Sequence, residues 1–186
     1  MRLNLGSGSK TIEGFLNVDK YPTPATDVVL DLESLPWPWP DDSVDEARFI
    51  HSLEHMGRDT DVFLGIVREL WRVCRNGAQV IIHVPHPRHD NFLGDPTHVR
   101  PITPQALSLF DRRLNEQWLA GGVSAATPLA VYLGVDFHIA HVLTVLDPPW
   151  YARHASGELS LADIEQVARE RNNVIAEYHI TWVARK

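Results

Sequence analysis

The sequence predicts a doubly wound α/β fold built on a mostly parallel sheet, and three observations predict it. Short apolar runs alternate with crossover segments through the first half of the chain. The cores of these runs are nearly continuous in Val, Ile and Leu, as in strands covered on both faces. Near the end, residues 174–183 alternate in polarity, which reads as a terminal strand, antiparallel to its neighbour.

Each element has its own signal. Leu3 to Leu5 is a short strand running into Gly6-Ser7-Gly8, Phe15 to Val18 is a second ending at Asp19, and Asp27 to Leu30 is a third followed by Asp31. A fourth covers Val44 to Ile50 and ends at His51. From Asp61 to Cys74 the apolar residues fall at helical spacing, and Asn76-Gly77 is expected to stop that helix. Gln79 to Val84 is a fifth strand, closed by Pro85. Residues 86–104 read as a long Pro-rich loop, Pro104 to Trp118 as helical, Phe137 to Leu146 as a strand, and Leu159 to Arg171 as an amphipathic helix. No repeat or linker divides the chain, so residues 1–186 are expected to form one domain.

Composition narrows the function classes. With 186 residues, 44% of them hydrophobic, the chain can build a real core. Seventeen basic against twenty-four acidic residues give a net charge of -7, which argues against nucleic acid as a partner, since phosphate binding needs a basic surface. The single cysteine, Cys74, sits in a helical pattern and reads as a core residue. No leader is apparent at the N-terminus, and the most apolar stretch, residues 119–135, is broken by Gly121, Gly122 and Pro128. A soluble cytoplasmic protein without a membrane span is expected.

A strand, then Gly6-Ser7-Gly8, then an acid at the end of the next strand is a nucleotide-binding arrangement. Glycines let backbone come close to a ligand, and a carboxylate accepts both ribose hydroxyls. The dinucleotide version fails, because Thr11 stands at its third glycine and Asp19 follows too soon for an intervening helix. No Gly-Lys-Ser/Thr run is present to hold a triphosphate.

The ordered series Leu3-Asn4-Leu5-Gly6-Ser7-Gly8, Gly14-Phe15-Leu16-Asn17-Val18-Asp19, Asp31-Leu32 with Leu35-Pro36, Pro40-Asp41-Asp42-Ser43-Val44-Asp45, His51-Ser52-Leu53-Glu54-His55, Glu69-Leu70-Trp71-Arg72-Val73 and Asn76-Gly77 through Val84-Pro85 resembles class I S-adenosylmethionine-dependent methyltransferases. The closest type is a small bacterial and archaeal subgroup with a shortened first crossover. The resemblance implies a seven-stranded Rossmann-like sheet and S-adenosylmethionine as cofactor. Residues 1–85 would be the cofactor-binding half, 86–104 an acceptor-side loop, and 105–186 the remaining helices and terminal strands. Leu5, Gly6, Ser7 and Gly8 would line the methionine portion. Asp19 would hold the ribose with Lys20 beside the adenine, Asp31 and the Leu32 amide would meet the adenine edge, and His51 and Ser52 would lie under the sulfonium. The departures are Ser7, Arg75-Asn76-Gly77-Ala78, and a gap from Gly8 to Phe15 with room for one helical turn at most.

If the acceptor is a hydroxyl or amine, a base is needed, and histidine is the best tuned. His51, His55 and His98 are the candidates, with His98 and Arg100 as substrate contacts. The acceptor is expected to be a small molecule, with a sugar or protein side chain also open. His51-x-x-Glu54-His55 also fits an inverted zinc-hydrolase motif, which requires both histidines on one helical face. The methyltransferase series argues against that reading, and no metal is expected. A protein that binds the cofactor without catalysis is the third alternative.

Overall fold

The computed structural model describes residues 1–123 and 126–186. Strands β1 (Arg2–Leu5), β2 (Leu16–Asp19), β3 (Val28–Val29), β4 (Val44–Ile50), β5 (Cys74–Pro85), β6 (Phe137–Leu146) and β7 (Ile175–Ala184) form one sheet in the order β3-β2-β1-β4-β5-β7-β6. All pairings are parallel except those of β7, which runs antiparallel to both β5 and β6. The expected seven strands and the antiparallel terminal strand are both present. The strand order reverses between β1 and β4, which opens a crevice at the carboxyl ends of those strands.

Among the described residues seven α-helices follow in sequence: α1 (Thr60–Val73), α2 (Asp90–Leu93), α3 (Pro104–Ser108), α4 (Arg112–Ala120), α5 (Leu129–Leu133), α6 (Pro148–Ala155) and α7 (Leu161–Glu170). Asp59 caps α1 by accepting from the Asp61 amide, and Phe63, Ile66, Val67, Leu70 and Val73 form its buried stripe. That stripe joins Leu3, Leu5, Phe49, Val80 and Ile82 of the sheet, with Leu107 of α3, in one hydrophobic core. Among the described residues no helix is long and apolar enough to cross a membrane.

Helices on both faces were expected, yet the connections β1–β2, β2–β3 and β3–β4 contain none. The first two are too short, since a parallel crossover normally takes a dozen residues or more, and the third is long enough but is held by tryptophans and polar contacts instead. Polar contacts cover the reverse face of β1 and β2 instead. Asn4 and Asn17, opposite each other by register, bond to one another, to the Lys10 carbonyl and the Ile12 amide, and to Asp27. The guanidinium groups of Arg2 and Arg48 both lie over the Phe15 ring, at 4.8 and 4.4 Å from its centroid. Between β3 and β4, Trp37 and Trp39 fold into the core, and Arg72 of α1 holds their carbonyls while also pairing with Glu69 and Asp41. Every N–H of that guanidinium has an acceptor.

Two local expectations need correction. Asn76-Gly77 does not stop α1. The helix ends at Val73, Cys74 turns extended and pairs with Val44, and Gly77 at φ +80° sits inside β5 beside the register shift at Val44 and Glu46. The single helix over Pro104 to Trp118 is two, because Asp111 caps a new start by accepting from the Arg113 and Leu114 amides. The loop over residues 86–104 contains the single turn α2, and the short helices α5 and α6 had not been expected at all.

Trp182 of β7 stacks on Phe137 at 4.0 Å and meets Phe110 edge-on at 5.6 Å, with its indole N–H buried and unpartnered. Trp182→Ala is expected to lower the unfolding free energy by about 3–5 kcal/mol. Trp182→Phe should cost clearly less, because it removes an unsatisfied donor along with part of the ring. Chemical denaturation of the two variants checks the difference, and equal losses would contradict this account of the core.

Candidate functional site

At the reversal point the chain leaves β1 through Gly6 at φ +72° and leaves β4 through His51 at φ +53°. A Cβ on Gly6 would stand 2.5 Å from the Ser52 Cβ, so only glycine allows this approach. The Ser52 hydroxyl donates to the Leu5 carbonyl at 2.7 Å and ties the two strand ends together. A histidine in the left-handed region is strained by about 1–2 kcal/mol, and such strain concentrates where the chain must present a group. A one-turn 3-10 helix, Leu53–His55, follows.

These ends frame a cleft of about 400 Å³, within the roughly 300–1,000 Å³ common for small-molecule sites. Gly6, Gly8, Asp19, Lys20, Asp31, Leu32, His51, Ser52 and His55, all candidates named from the sequence, line it. Tyr21, Leu30, Glu33, Met56 and Thr97 are lining residues that sequence reasoning missed. Thr97 had a weak signal, its place in the long loop; the others had none.

Several expected contacts take another form. The Gly6 and Ser7 amides both donate to the Val18 carbonyl, and the Gly8 amide donates to Asp19 Oδ2. The glycine turn therefore offers a ligand an edge without side chains, not free N–H groups. Leu5 is fully buried and contributes only its carbonyl to Ser52. Ser7 is buried outside the cleft lining, its hydroxyl without a partner. Asp19 accepts from the Gly8 and Tyr21 amides, and Asp31 from the Glu33 amide, so each acid is already oriented. A carboxylate oxygen has a further lone pair, and both acids keep accepting capacity toward the cleft.

The histidines divide by position. His51 is 41% exposed at the cleft, with Nδ1 3.9 Å from Glu54 Oε1 and Nε2 3.7 Å from Glu177 Oε1, too far for direct hydrogen bonds. His55 lines the cleft, whereas His98 is buried behind it, ring edge against His55 at a centroid distance of 4.5 Å. Burial, then the neighbouring His98, pushes the His55 ring below its ordinary range. Arg100 is not at the cleft. It donates twice to the Gly57 carbonyl, stacks over Phe63 at 4.4 Å and borders a separate small cavity beside Leu107. Its position corrects the expectation of a substrate contact, because a buried carbonyl and an aromatic face hold the cation in place.

Glu54 is the group whose importance the sequence hid. Its side chain is 1% exposed and neither carboxyl oxygen has a hydrogen-bond partner. Burial, with Glu177 and Asp95 nearby, pushes its carboxyl up to about 7. The zinc-hydrolase arrangement is absent, since His51 lies before the 3-10 turn rather than on a helix with His55. A larger groove of about 1,050 Å³, bordered by His86, Leu143, Tyr151, Ile164 and Tyr178, shares no residue with the cleft.

Compared with solved structures, the chain superposes over 99% of its length on a SAM-dependent methyltransferase from Archaeoglobus fulgidus, covering 85% of that chain at 17% identity and TM-score 0.61. It covers 92% of a SAM-dependent methyltransferase from Methanosarcina mazei at 14% identity and TM-score 0.53, using all of its own length. It likewise aligns in full with 70% of the Burkholderia thailandensis 1,6-didemethyltoxoflavin-N1-methyltransferase, a structure with bound S-adenosylhomocysteine, at 12% identity and TM-score 0.53. The chain has the class I methyltransferase fold. No protein-family model and no curated protein matches it by sequence.

Two predictions test the local physics of this methyltransferase fold. Gly8 is also left-handed, at φ +55°, but a Cβ there meets nothing within 4 Å. Gly8→Ala should cost about 1–2 kcal/mol of backbone strain alone. Gly6→Ala should cost more, because Ser52 must also move; equal denaturation midpoints for the two would refute the close approach.

His83 of β5 stacks on His179 of β7 at 3.7 Å. Burial, then the His179 and His51 rings, pushes the His83 imidazole down to about 4, with Glu177 opposing and Arg48 adding to the shift. The unfolded state then takes up this proton first. The contribution is full above about pH 6.5, the ordinary histidine value, and is lost as pH falls toward 4. His83→Gln should flatten the fall in urea midpoint between those values, and an unchanged slope would assign the loss to other groups.

Proposed function

We propose that the chain is an S-adenosylmethionine-dependent methyltransferase acting on a small-molecule acceptor. The observation that carries this reading is the cleft at the β1/β4 reversal, where Gly6 and Gly8 meet two oriented acids, Asp19 and Asp31, on the methyltransferase strand order. The donor set fits the cofactor. Asp19, at the end of β2, suits a ribose diol, and Asp31 with the neighbouring Leu30 and Leu32 suits the polar edge and flat faces of an adenine.

When bound, S-adenosylmethionine supplies an electrophilic methyl: the acceptor's lone pair forms the new bond, and the C–S pair stays on sulfur to leave S-adenosylhomocysteine. The protein's residues act by binding, orienting and taking a proton. Gly6 and Ser52 shape the floor of the cleft, and the backbone there sets the approach line, which is worth several kcal/mol of barrier. His51 is the imidazole facing the cleft with both ring nitrogens free of hydrogen bonds, and we assign it the proton released from a hydroxyl or amine acceptor. Within residues 86–104 the acceptor-side role falls to Thr97, the one member of that segment lining the cleft. His98 acts behind His55, and Arg100 supports the chain turn at Gly57.

S-adenosylhomocysteine is expected to bind in isothermal calorimetry and to raise the melting temperature, since a ligand of the native state stabilises it by mass action. Asp31→Ala should weaken binding by about 1–3 kcal/mol. Asp19→Asn should weaken it similarly while keeping the side-chain size in the Gly8 turn. No binding at millimolar ligand would remove the methyltransferase reading, and normal binding in both variants would show that the adenosine end lies elsewhere.

A further inference from the structure

We propose that Glu54, His55 and His98 form a binding site for one divalent transition-metal ion of the zinc or cobalt type at the edge of the cleft. One ligating atom of each residue lies within 4.8 Å of the others. His98 Nε2 is 3.9 Å from Glu54 Oε1. A tetrahedral set with bonds of about 2.1 Å holds its ligand atoms about 3.4 Å apart, so sub-ångström movement closes this pair.

The hydrogen bonds around the two rings prepare them as ligands. His98 Nδ1 faces the Phe92 carbonyl at 3.0 Å, which only accepts, so Nδ1 carries the proton and Nε2 keeps its lone pair toward Glu54. The Thr97 hydroxyl donates to Asp95 at 2.6 Å, so its oxygen accepts from His55 Nδ1 at 2.9 Å and leaves that Nε2 free as well. Metal-bound histidines are oriented this way, through the nitrogen that does not bind metal.

The second observation is Glu54 itself. A carboxyl group with 1% exposure and no partner on either oxygen is costly to bury, and no hydrogen bond to its side chain offsets that cost. Asp95 Oδ2, 3.8 Å from His98 Nε2, adds negative charge on the far side. No lysine or arginine bonds to the Glu54 side chain among the described residues, so a bound cation would give its ionised form the partner it lacks. Two imidazoles and one carboxylate suit borderline cations over magnesium or calcium, which take mostly oxygen.

Three protein ligands leave at least one position open. Because His55 and Thr97 line the cleft, that position borders the acceptor's approach. Resting on the methyltransferase reading, the ion would select acceptors that offer it an oxygen, a hydroxyl or carboxylate close to the methylated atom.

The test uses chelator-treated full-length protein without S-adenosylmethionine. Zinc titration by calorimetry should give one site per chain, and cobalt should give visible absorption of a low-coordinate nitrogen–oxygen site. Glu54→Gln and His98→Ala should each lose at least ten-fold in zinc affinity with their far-ultraviolet circular dichroism retained, while His86→Ala keeps the wild-type value. Thr97→Val should weaken binding roughly 10–100-fold through His55 alone. Absence of stoichiometric zinc, or affinity unchanged in Glu54→Gln and His98→Ala, overturns the site; displacement of cobalt by millimolar magnesium overturns the choice of metal. The two readings separate: zinc bound without S-adenosylhomocysteine binding keeps the ion and removes the methyltransferase, and the reverse result does the opposite.

Discussion

The contact between Gly6 and Ser52 is the constraint on which the rest of the site depends. Parallel strands β1 and β4 are neighbours in the sheet, and the chain must leave both at the same edge. Ser52 fits against the Gly6 backbone because no Cβ stands between them, and its hydroxyl closes on the Leu5 carbonyl. With Ser52 fixed, His51 is forced into the left-handed region and the 3-10 turn begins one residue later. That turn buries Glu54 and presents His55. The floor of the cleft, the exposed imidazole and the buried carboxylate are thus consequences of a single close approach.

The fold is asymmetric about its sheet. One face has an ordinary hydrophobic core under α1 and α3, whereas the other is closed over β1 and β2 by the Asn4–Asn17–Asp27 network and by Phe15 with the two guanidinium groups over its ring. Hydrogen bonds of this kind contribute only about 0.5–1.5 kcal/mol each, so the apolar face supplies most of the stability. The short connections nevertheless bring polar backbone close to the cleft without interposed helices. Arg72 does the equivalent between β3 and β4, where two of its five donors hold the Trp37 and Trp39 carbonyls and the other three hold Glu69 and Asp41, in place of a packed crossover.

Stability and chemistry oppose each other at Glu54. An unsatisfied buried polar group costs roughly 1–3 kcal/mol, more when charged, and the protein retains one beside its cleft. The surrounding chain compensates with backbone bonds: the Val99 and Arg100 amides both donate to the Glu54 carbonyl and clamp the segment carrying His98 over the turn. Arg100 then locks the other side at Gly57. The long segment after β5 is for this reason a structural lid on the turn, from which only Thr97 reaches the cleft.

The sequence by itself determined the strands, the body of α1 and the two acids Asp19 and Asp31, because each depends on local periodicity or on a residue's place near a strand end. Asp19, Asp31, Gly6 and His51 stand at such ends, so their arrival at one edge follows from strand direction alone. Tertiary structure decided the rest. Whether the Gly6 and Ser7 amides were free depended on the Val18 carbonyl across the sheet, and whether Arg100 faced a ligand depended on Gly57 and Phe63. Glu54 had no distinguishing signal beyond its place in the His51–His55 run. Its burial beside His98 arises from a loop returning over the turn, a long-range contact that no local pattern encodes. Hydrogen-bond satisfaction and burial are properties of the surroundings of a group, and in this protein those surroundings come from distant segments of the chain.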